Sequence, residues 1–237
     1  MTQAANASEL IRAVEQADSP ARLTEAVRAL TEAQLEAGIP VLIKVLGYNN
    51  PEAAGVAVKG LVKLGKVAVP AILEQLDDYN YGARAYSFRA LATIADPQAL
   101  DALLSAAAAD FAPSVRKAAA KGLGDLDWSQ LPDEQREPAQ QKTLEVLLQI
   151  LQDLDWAIRY AAIVGLQGLA KAGMQGNPAA PSTSSGVTSQ ILHRFDHLAQ
   201  ADPDLAVRAR VVMAQQQLGV SDPTEGALRV ALEPIAH

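Results

Sequence analysis

Hydrophobic and polar positions along the chain follow a helical pattern that returns about every 30 residues. Within each copy, apolar residues recur at spacings of three and four. One leucine marks the same position in five copies: Leu30, Leu61, Leu91, Leu123 and Leu166. The copies are 25–33, 55–65, 85–95, 117–126 and 160–170, with a more degenerate sixth copy at 209–219. A period of this length with helical patterning indicates an α-solenoid.

Each copy is accompanied by a second segment with helical spacing of its apolar residues. These segments are 39–47, 69–76, 99–108, 143–154 and 189–200. No segment alternates apolar and polar residues for long enough to predict a β-strand. A single helix pair cannot bury its own apolar face, and stacking on neighbouring pairs does so. The sequence therefore predicts an all-α fold, a right-handed α-solenoid of about six helical pairs.

Two segments lengthen the period, 128–141 and 173–190, and both are rich in Pro, Gly, Ser and Gln. We expect both to be loops between the two helices of one repeat, and the second to be mobile. When they are removed the regular period is restored. The whole chain, 1–237, is then a single repeat domain with two loop insertions.

Composition narrows the possible chemistry. The chain has 49% hydrophobic and 20% charged residues, which is typical of a folded soluble protein. Its net charge of −7 argues against a general nucleic-acid binder, whose affinity comes from neutralising phosphates. Cysteine is absent, so disulfides, thiolate metal sites and a cysteine nucleophile are excluded. No apolar run has the length of a signal peptide or a membrane span, and we expect a cytoplasmic protein.

An aspartate precedes an arginine by six residues at one repeat position. The four pairs are Asp78 with Arg84, Asp110 with Arg116, Asp153 with Arg159, and Asp202 with Arg208. The second repeat has Tyr48 and Ala54 there instead. We expect each carboxylate to accept hydrogen bonds from amides at the start of the following helix and from arginines of its own or the adjacent repeat. The spacing matches HEAT-type repeats, in which this pair holds the stack together.

A second row of basic residues stands two positions before four of the template leucines. Its members are Arg28, Lys59, Arg89 and Lys121; Val164 and Met213 take the place in the last two copies. Helices in such a stack lie about 8–10 Å apart, so the four cations would form a stripe. One interpretation is a groove for carboxylates of a ligand or an acidic partner. The other is a solvated face that keeps the helices soluble, and the sequence leaves both open.

Eight of the ten aromatic residues lie within residues 79–160. They are Tyr79, Tyr81, Tyr86, Phe88, Phe111, Trp128, Trp156 and Tyr160. The repeat places several of them at turns or helix starts along one edge of the stack. Such residues offer flat surfaces to a conjugated ligand and polar tips that orient it. We expect Tyr79, Tyr81 and Trp128 to be exposed, and for Phe88 and Phe111 a place in the core is at least as well supported.

Motifs for other chemistry are weak. The glycine-rich segment 122–126 falls within a helical copy and has no strand before it, so it is not a phosphate loop. His193 and His197 lie four apart with Asp196 between them, but no third metal ligand is evident, and we predict no metal site. No nucleophile, base and orienting group can be assembled from the sequence. Any chemistry would come mainly from holding two reactants in the right geometry.

Three longer segments, 76–104, 111–128 and 155–170, resemble the HEAT-like repeats of the E/F-type phycobilin lyases. The likeness is greatest to F-type subunits that act on the phycocyanin α-subunit, and it runs over nearly the whole chain. Repeats alone are unspecific, but the combination of LGYNNPEAA (46–54), YNYGARA (79–85) and DWAIRYAAIVGLQ (155–167) is much more specific.

The resemblance implies a lyase subunit that attaches phycocyanobilin by a thioether bond to a cysteine of the phycocyanin α-subunit. It implies a heterodimer with an E-type partner, itself a helical solenoid, and a bilin substrate rather than a resident cofactor. Isomerising relatives carry a Cys/His motif in this subunit, and this chain has no cysteine, so simple attachment is expected.

The resemblance gives the candidate residues specific roles. Arg89 and Lys121 would hold the bilin propionates, while Tyr79, Tyr81, Tyr86 and Trp128 would contact the rings. Asp77 is the candidate acid that keeps the bilin protonated, unless the partner supplies it. Two alternatives remain: a non-catalytic chaperone or scaffold for bilins and phycobiliproteins, and a HEAT adaptor unrelated to bilins.

Overall fold

The computed structural model describes residues 2–76, 79–174 and 184–220, and the side chains of 2–5, 184 and 185 are not described. Twelve α-helices account for most of these residues. Their bounds are α1 Thr2–Glu15, α2 Pro20–Ala33, α3 Ile39–Leu46, α4 Pro51–Leu64, α5 Val69–Glu74, α6 Tyr81–Ile94, α7 Leu100–Ala109, α8 Pro113–Asp125, α9 Asp133–Ile150, α10 Trp156–Met174, α11 Ser184–Ala201 and α12 Leu205–Gln217. The described parts contain no β-strand.

The helices form two layers of an α-solenoid. The even-numbered helices pack on one another in chain order from α2 to α12, and each also packs on the odd-numbered helix that precedes it. The template leucines point into the space between the layers, where all five are at most 1% exposed. Six stacked helical pairs confirm the predicted fold class.

Local sequence explains where several helices begin. The Asn50 and Asn80 side chains accept hydrogen bonds from the amides of Ala53 and Ala83, at 3.1 and 3.0 Å, and so cap α4 and α6. Proline stands in the first turn of five helices, α2, α3, α4, α5 and α8, where its missing N–H costs nothing. These signals fix where the helices of both layers begin.

The two predicted loop insertions are largely helical. Helix α9 begins at Asp133, so the prediction of a loop over 128–141 is wrong beyond a short turn at its start. Gln, Glu and Ala favour helix there, and Asp133 and Glu134 suit the positive end of the helix dipole. In the second segment, Met174 ends α10 and residues 184–190 belong to α11, so these parts are not loop either. Residues 175–183 lie outside the described residues.

Helices α8 and α10 approach each other closely through glycines. A Cβ on Gly165 would lie 2.2 Å from the backbone oxygen of Ala120, and one on Gly124 would lie 2.2 Å from the oxygen of Gly165. Gly168 faces the backbone of Gly124 in the same way, with its oxygen 2.5 Å from the added carbon. Only residues without a side chain permit this backbone-to-backbone contact. No helix of the described residues combines the length and apolarity that crossing a bilayer requires.

Candidate binding face and its supporting ladder

Buried ion pairs link successive repeats. Arg84 Nε and Nη2 donate to the two carboxylate oxygens of Asp110, at 2.6 and 3.0 Å. One repeat further on, Arg116 donates Nη2 to one carboxylate oxygen of Asp153, while its Nε donates to the backbone oxygen of Ala107 at 3.5 Å. The repetition confirms a ladder in which Arg84, Arg116 and Arg159 are each bonded to the aspartate of the next repeat. Arg208 of the last copy donates to the backbone oxygen of Asp202 at 3.0 Å. The first predicted aspartate, Asp78, lies outside the described residues.

Each ladder aspartate also caps the turn that follows it. Asp110, Asp153 and Asp202 each accept a hydrogen bond from the backbone amide two residues later, at 2.8 to 2.9 Å. Burial alone would raise the pKa of Asp202, but its hydrogen bonds from Arg159 and from a backbone amide outweigh burial and lower that pKa. The pKa of Asp110 is lowered by the same balance, with Arg84 as the partner. These carboxylates are therefore ionised structural groups.

The second basic row lies on the solvent-facing side of the even-numbered helices, away from the buried template leucines. We call this surface the open face, and its row consists of Arg28 on α2, Lys59 on α4, Arg89 on α6 and Lys121 on α8. All four side chains are exposed, whereas the adjacent Val58 and Leu61 are buried. Because these four helices pack in order and the cations hold equivalent positions, the cations follow one another across the open face.

The four cations differ in how they are paired. Arg28 approaches Glu52 at 3.7 Å between exposed side chains, which is a weak pair. The Arg89 guanidinium lies over the Tyr86 ring, 5.1 Å from its centroid. Lys59 and Lys121 have no acidic partner within 4 Å in the described part of the chain. The middle of the row, with Tyr86 beside it, is thus open to an anionic, aromatic ligand.

Asp125 is a candidate acid that the sequence reasoning missed. It ends α8, one helical turn beyond Lys121, and α10 packs closely on the same turn through Gly124. Although the residue as a whole is exposed, desolvation by this packing raises the pKa of its carboxyl, and Lys171 on α10 opposes the rise only partly. Its spacing of four from Lys121 places the two residues on the same face of α8, but nothing in the sequence signals its desolvation. Asp77, the predicted acid, lies outside the described residues.

Arg210 is a buried cation of a different kind from the ladder arginines. It lies over the Tyr160 ring at 5.8 Å and donates Nη2 to Gln167, but its Nη1 is buried without a hydrogen-bond partner. Burial lowers the pKa of this guanidinium and outweighs the electrostatic interaction with Tyr160, which acts in the opposite direction. The guanidinium of Arg210 contacts a tyrosine ring and a glutamine amide, whereas the ladder arginines bind carboxylates.

The aromatic residues for which the sequence predicts a burial state differ in exposure. Tyr79 and Tyr81 are exposed as predicted, by 96% and 58%. Trp128 is only 4% exposed in a short turn after α8, so the prediction of an exposed role for it is wrong. Phe88 is buried in the core, but Phe111 is 73% exposed, which excludes a core role for it.

The predicted bilin contacts are therefore not all in one place. Tyr86, Arg89 and Lys121 lie on the open face, whereas Tyr79 and Tyr81 lie at the edge where α6 begins. His193 and His197 lie on α11 of the other layer, and no group of three potential metal ligands occurs among the residues described. The open face is the surface on which a cation row, an aromatic ring and a desolvated carboxyl occur together.

Comparison with known proteins first defines the class. A model of HEAT repeats matches residues 69–137, and the whole arrangement of stacked pairs is that of a HEAT-like α-solenoid. A chain in the solved complex of CpcE and CpcF of phycocyanin lyase from Nostoc sp. PCC7120 superimposes with a TM-score of 0.66 and 56% identity. The match covers 76% of this chain and 98% of that one.

Curated relatives then define the family. The phycocyanobilin lyase subunit beta of Nostoc sp. (strain PCC 7120) is 53% identical over 89% of this chain and 99% of its own length. The phycocyanin alpha phycocyanobilin lyase CpcF of Synechocystis sp. is 52% identical over 68% of this chain and 76% of its own length. The chain belongs to the family of phycocyanobilin lyase β subunits.

Proposed function

We propose that this chain is the F-type subunit of a heterodimeric phycobilin lyase that attaches phycocyanobilin to a cysteine of the phycocyanin α-subunit. The observation that carries the proposal is the 53% identity to a phycocyanobilin lyase β subunit over 99% of that protein's length. The absence of cysteine from the chain fits attachment without isomerisation, because the reacting thiol belongs to the acceptor protein.

The reaction is an addition, so it needs positioning more than a nucleophile on the enzyme. The acceptor sulfur bonds to the electrophilic side chain of the bilin, the thiol proton ends on the bilin, and no group leaves. No oxidant or reductant is consumed. An enzyme accelerates such a step by holding both reactants together and by keeping the bilin protonated. Phycocyanobilin is a substrate here, and we propose that the chain carries no resident cofactor.

The open face supplies groups suited to a bilin. Arg89 and Lys121 stand on neighbouring helices, and we assign them to the two propionates. Tyr86, already in contact with the Arg89 guanidinium, offers its ring to a pyrrole. We assign the proton-donating carboxyl to Asp125 on the strength of its desolvation, with Asp77 as the alternative on this chain. Trp128, being buried, has no part in this assignment.

Reconstitution tests the proposal directly. The chain is coexpressed with its E-type partner, phycocyanobilin and the phycocyanin α-subunit, and visible absorbance that survives denaturation is measured on the acceptor. We expect covalent colouring that requires both subunits and the acceptor cysteine. If colouring is no faster than with the partner alone, the chain is not a lyase subunit.

A non-catalytic chaperone is the second candidate. It is favoured by the 48% identity to a protein named phycobilisome maturation protein, over 97% of that protein's length. A chaperone would bind bilin or phycobiliprotein without any gain in the rate of attachment, so the same reconstitution distinguishes the two. For either function we propose a cytoplasmic location, supported by the lack of a membrane-spanning helix in the described residues.

A further inference from the structure

A buried cation between α10 and α12 has no countercharge. Arg210 is only 7% exposed, and no carboxylate lies within 4 Å of its guanidinium in the part of the chain that the structure describes. Its Nη1 is buried and has no hydrogen-bond partner. Such a group is costly, because it has lost its hydration and gained neither a counterion nor a full set of hydrogen bonds. Buried donors left in this state are usually completed by a bound molecule or ion.

The same fold neutralises its other buried guanidiniums from within. Arg84 and Arg159, the remaining buried arginines among the residues described, are each bonded to a carboxylate of the next repeat. On α11, Asp196 accepts a hydrogen bond from Gln215 Nε2 at 2.7 Å and does not pair with Arg210. The last repeat therefore has a buried arginine for which the described chain supplies no acid.

Side chains of α10 and α12 fix the guanidinium in place. It lies over the Tyr160 ring, 5.8 Å from the centroid, and its Nη2 donates to the Gln167 side-chain oxygen. Gln167 Nε2 in turn donates to the side-chain oxygen of Gln217 at 2.6 Å. Gln167 is buried, whereas Gln217 is exposed, so this network reaches solvent at Gln217.

The chemistry of the network favours a carboxylate. A carboxylate carries the single negative charge that a guanidinium lacks here, and its two oxygens accept hydrogen bonds from neighbouring donors. If one oxygen replaces the Gln217 oxygen on Gln167 Nε2, the other is close to the guanidinium, because the same amide group binds both. A water molecule would satisfy Nη1 but supply no charge. A phosphate group would bring more than one negative charge into a buried place.

We propose that Arg210, Gln167 and Tyr160 form a binding site for a carboxylate group at the last repeat. The site is separate from Arg89 and Lys121, which stand on α6 and α8. A bound carboxylate supplies the missing countercharge and so ties α12 to α10. The inference does not rest on the proposed function, because it needs neither the partner subunit nor the attachment reaction. The carboxylate belongs either to a free small acid or to a bilin propionate, which share this chemistry.

Thermal unfolding of the full-length chain in the presence of acetate is the first test. Sodium chloride keeps the ionic strength constant, and acetamide serves as the neutral analogue of acetate. Arg210→Met removes the charge and leaves an apolar side chain of similar length, so this variant should be at least as stable as the wild type. The control variant is Arg22→Met, which removes a guanidinium whose side chain is 70% exposed.

We expect acetate to raise the unfolding midpoint of the wild type and of Arg22→Met in a saturable way. The rise should be about 3–6 °C at an acetate concentration about ten times the Kd. Chloride, acetamide and the Arg210→Met variant should give no such rise. Equal shifts with acetate and chloride would mean an adventitious ion only and overturn the proposal, as would a full acetate response in Arg210→Met.

A second measurement does not depend on the variant. Proton–nitrogen correlation spectra of the arginine side chains should show one guanidinium signal of the wild type that shifts with acetate, at the same Kd as the thermal effect. No shifting signal overturns the proposal even if Arg210→Met fails to fold. Phycocyanobilin and its dimethyl ester then distinguish the sources of the carboxylate. Competition with acetate by the free bilin but not by the ester assigns the site to a propionate, and competition by neither assigns it to a free acid; both results support the site.

Discussion

Arg159 on α10 donates Nε and Nη2 to the two carboxylate oxygens of Asp202, at 2.9 and 2.8 Å, and both side chains are buried. The pair joins the last two repeats of the described stack. The hydrogen bonds that Arg159 donates to Asp202 also raise the pKa of the guanidinium, although burial works against them. Both partners therefore stay charged at neutral pH, and the stack depends on their remaining together.

Removing one partner of this pair should destabilise the protein strongly. In Asp202→Asn the buried guanidinium of Arg159 loses its countercharge, which costs about 3–5 kcal/mol in free energy of unfolding. Urea unfolding followed by circular dichroism measures the change. The control is Asp101→Asn, which breaks an exposed pair with Lys142 and should cost less than about 1 kcal/mol. Equal losses in the two variants would show that the ladder does not hold the repeats together.

The ladder also predicts how stability depends on pH. The pKa values of Asp110 and Asp202 are lowered in the folded state from an ordinary 3.8. Their stabilising contribution is therefore fully present above pH 3.8 and is lost as pH falls from there through the folded-state values. Unfolding free energies measured from pH 6 down to pH 2 should fall in that window. The double variant Asp110→Asn, Asp202→Asn should show a shallower fall, and an unchanged slope would contradict the assignment.

Glycine substitutions should have opposite signs at two helix positions. Gly165→Ala places a carbon against the backbone oxygen of Ala120 in α8, so the two helices must separate, at a cost of about 1–3 kcal/mol or more. Gly55→Ala in α4 meets nothing within 4 Å and should stabilise the protein by up to about 1 kcal/mol, because alanine is the better helix former. Thermal unfolding of both variants checks the contrast. Stabilisation by both would mean that α8 and α10 are not in backbone contact.

The ladder was predictable from sequence because its signal is local and repeated: the same two residues recur at the same spacing in four copies. The environment of Trp128 was not, because it depends on contacts between distant residues. Its neighbour Asp127 donates its amide to Ala95 of an earlier repeat at 2.8 Å, and Arg136 Nε donates to the Trp128 oxygen at 2.9 Å. These bonds hold the turn against the core. They cannot be predicted from the spacing of residues in the sequence.

The open face could be predicted only in part, because the position of its cations is a local signal and the environment of its carboxyl is not. The row from Arg28 to Lys121 follows from repeat register alone. Desolvation of Asp125 depends on how closely α10 approaches α8, which three glycines on two helices decide together. Nothing in the sequence around Asp125 distinguishes it from a surface carboxylate. Its raised pKa depends on the packing of the two helices. The prediction of a loop over 128–141 is wrong because Asp133 and Glu134 favour a helix start there and α9 continues through Pro138.

Neutralising the open face should weaken bilin binding without unfolding the protein. We expect Arg89→Ala, Lys121→Ala to lower the affinity of the heterodimer for phycocyanobilin by about tenfold or more, because both assigned propionate partners are lost. Absorbance titration measures the affinity, and circular dichroism confirms helicity. The matched control, Lys44→Ala with Lys142→Ala, removes two exposed cations from odd-numbered helices and should bind normally. If the two variants bind alike, the row is only a solvated surface.

Asp125 offers a test of proton donation that is separate from binding. Its carboxyl pKa is raised, so the protonated form persists to higher pH than for an ordinary aspartate. If it supplies the bilin proton, the attachment rate at saturating bilin falls as pH rises through that raised pKa, and Asp125→Asn lowers the rate and abolishes this limb of the profile. The variant should not be less stable, since it removes a partly desolvated carboxylate. Asp101→Asn serves as control and should keep both rate and profile. A slow Asp125→Asn enzyme with the wild-type pH profile would make Asp125 a positioning residue, and an unchanged rate would return the role to Asp77 or to the partner subunit.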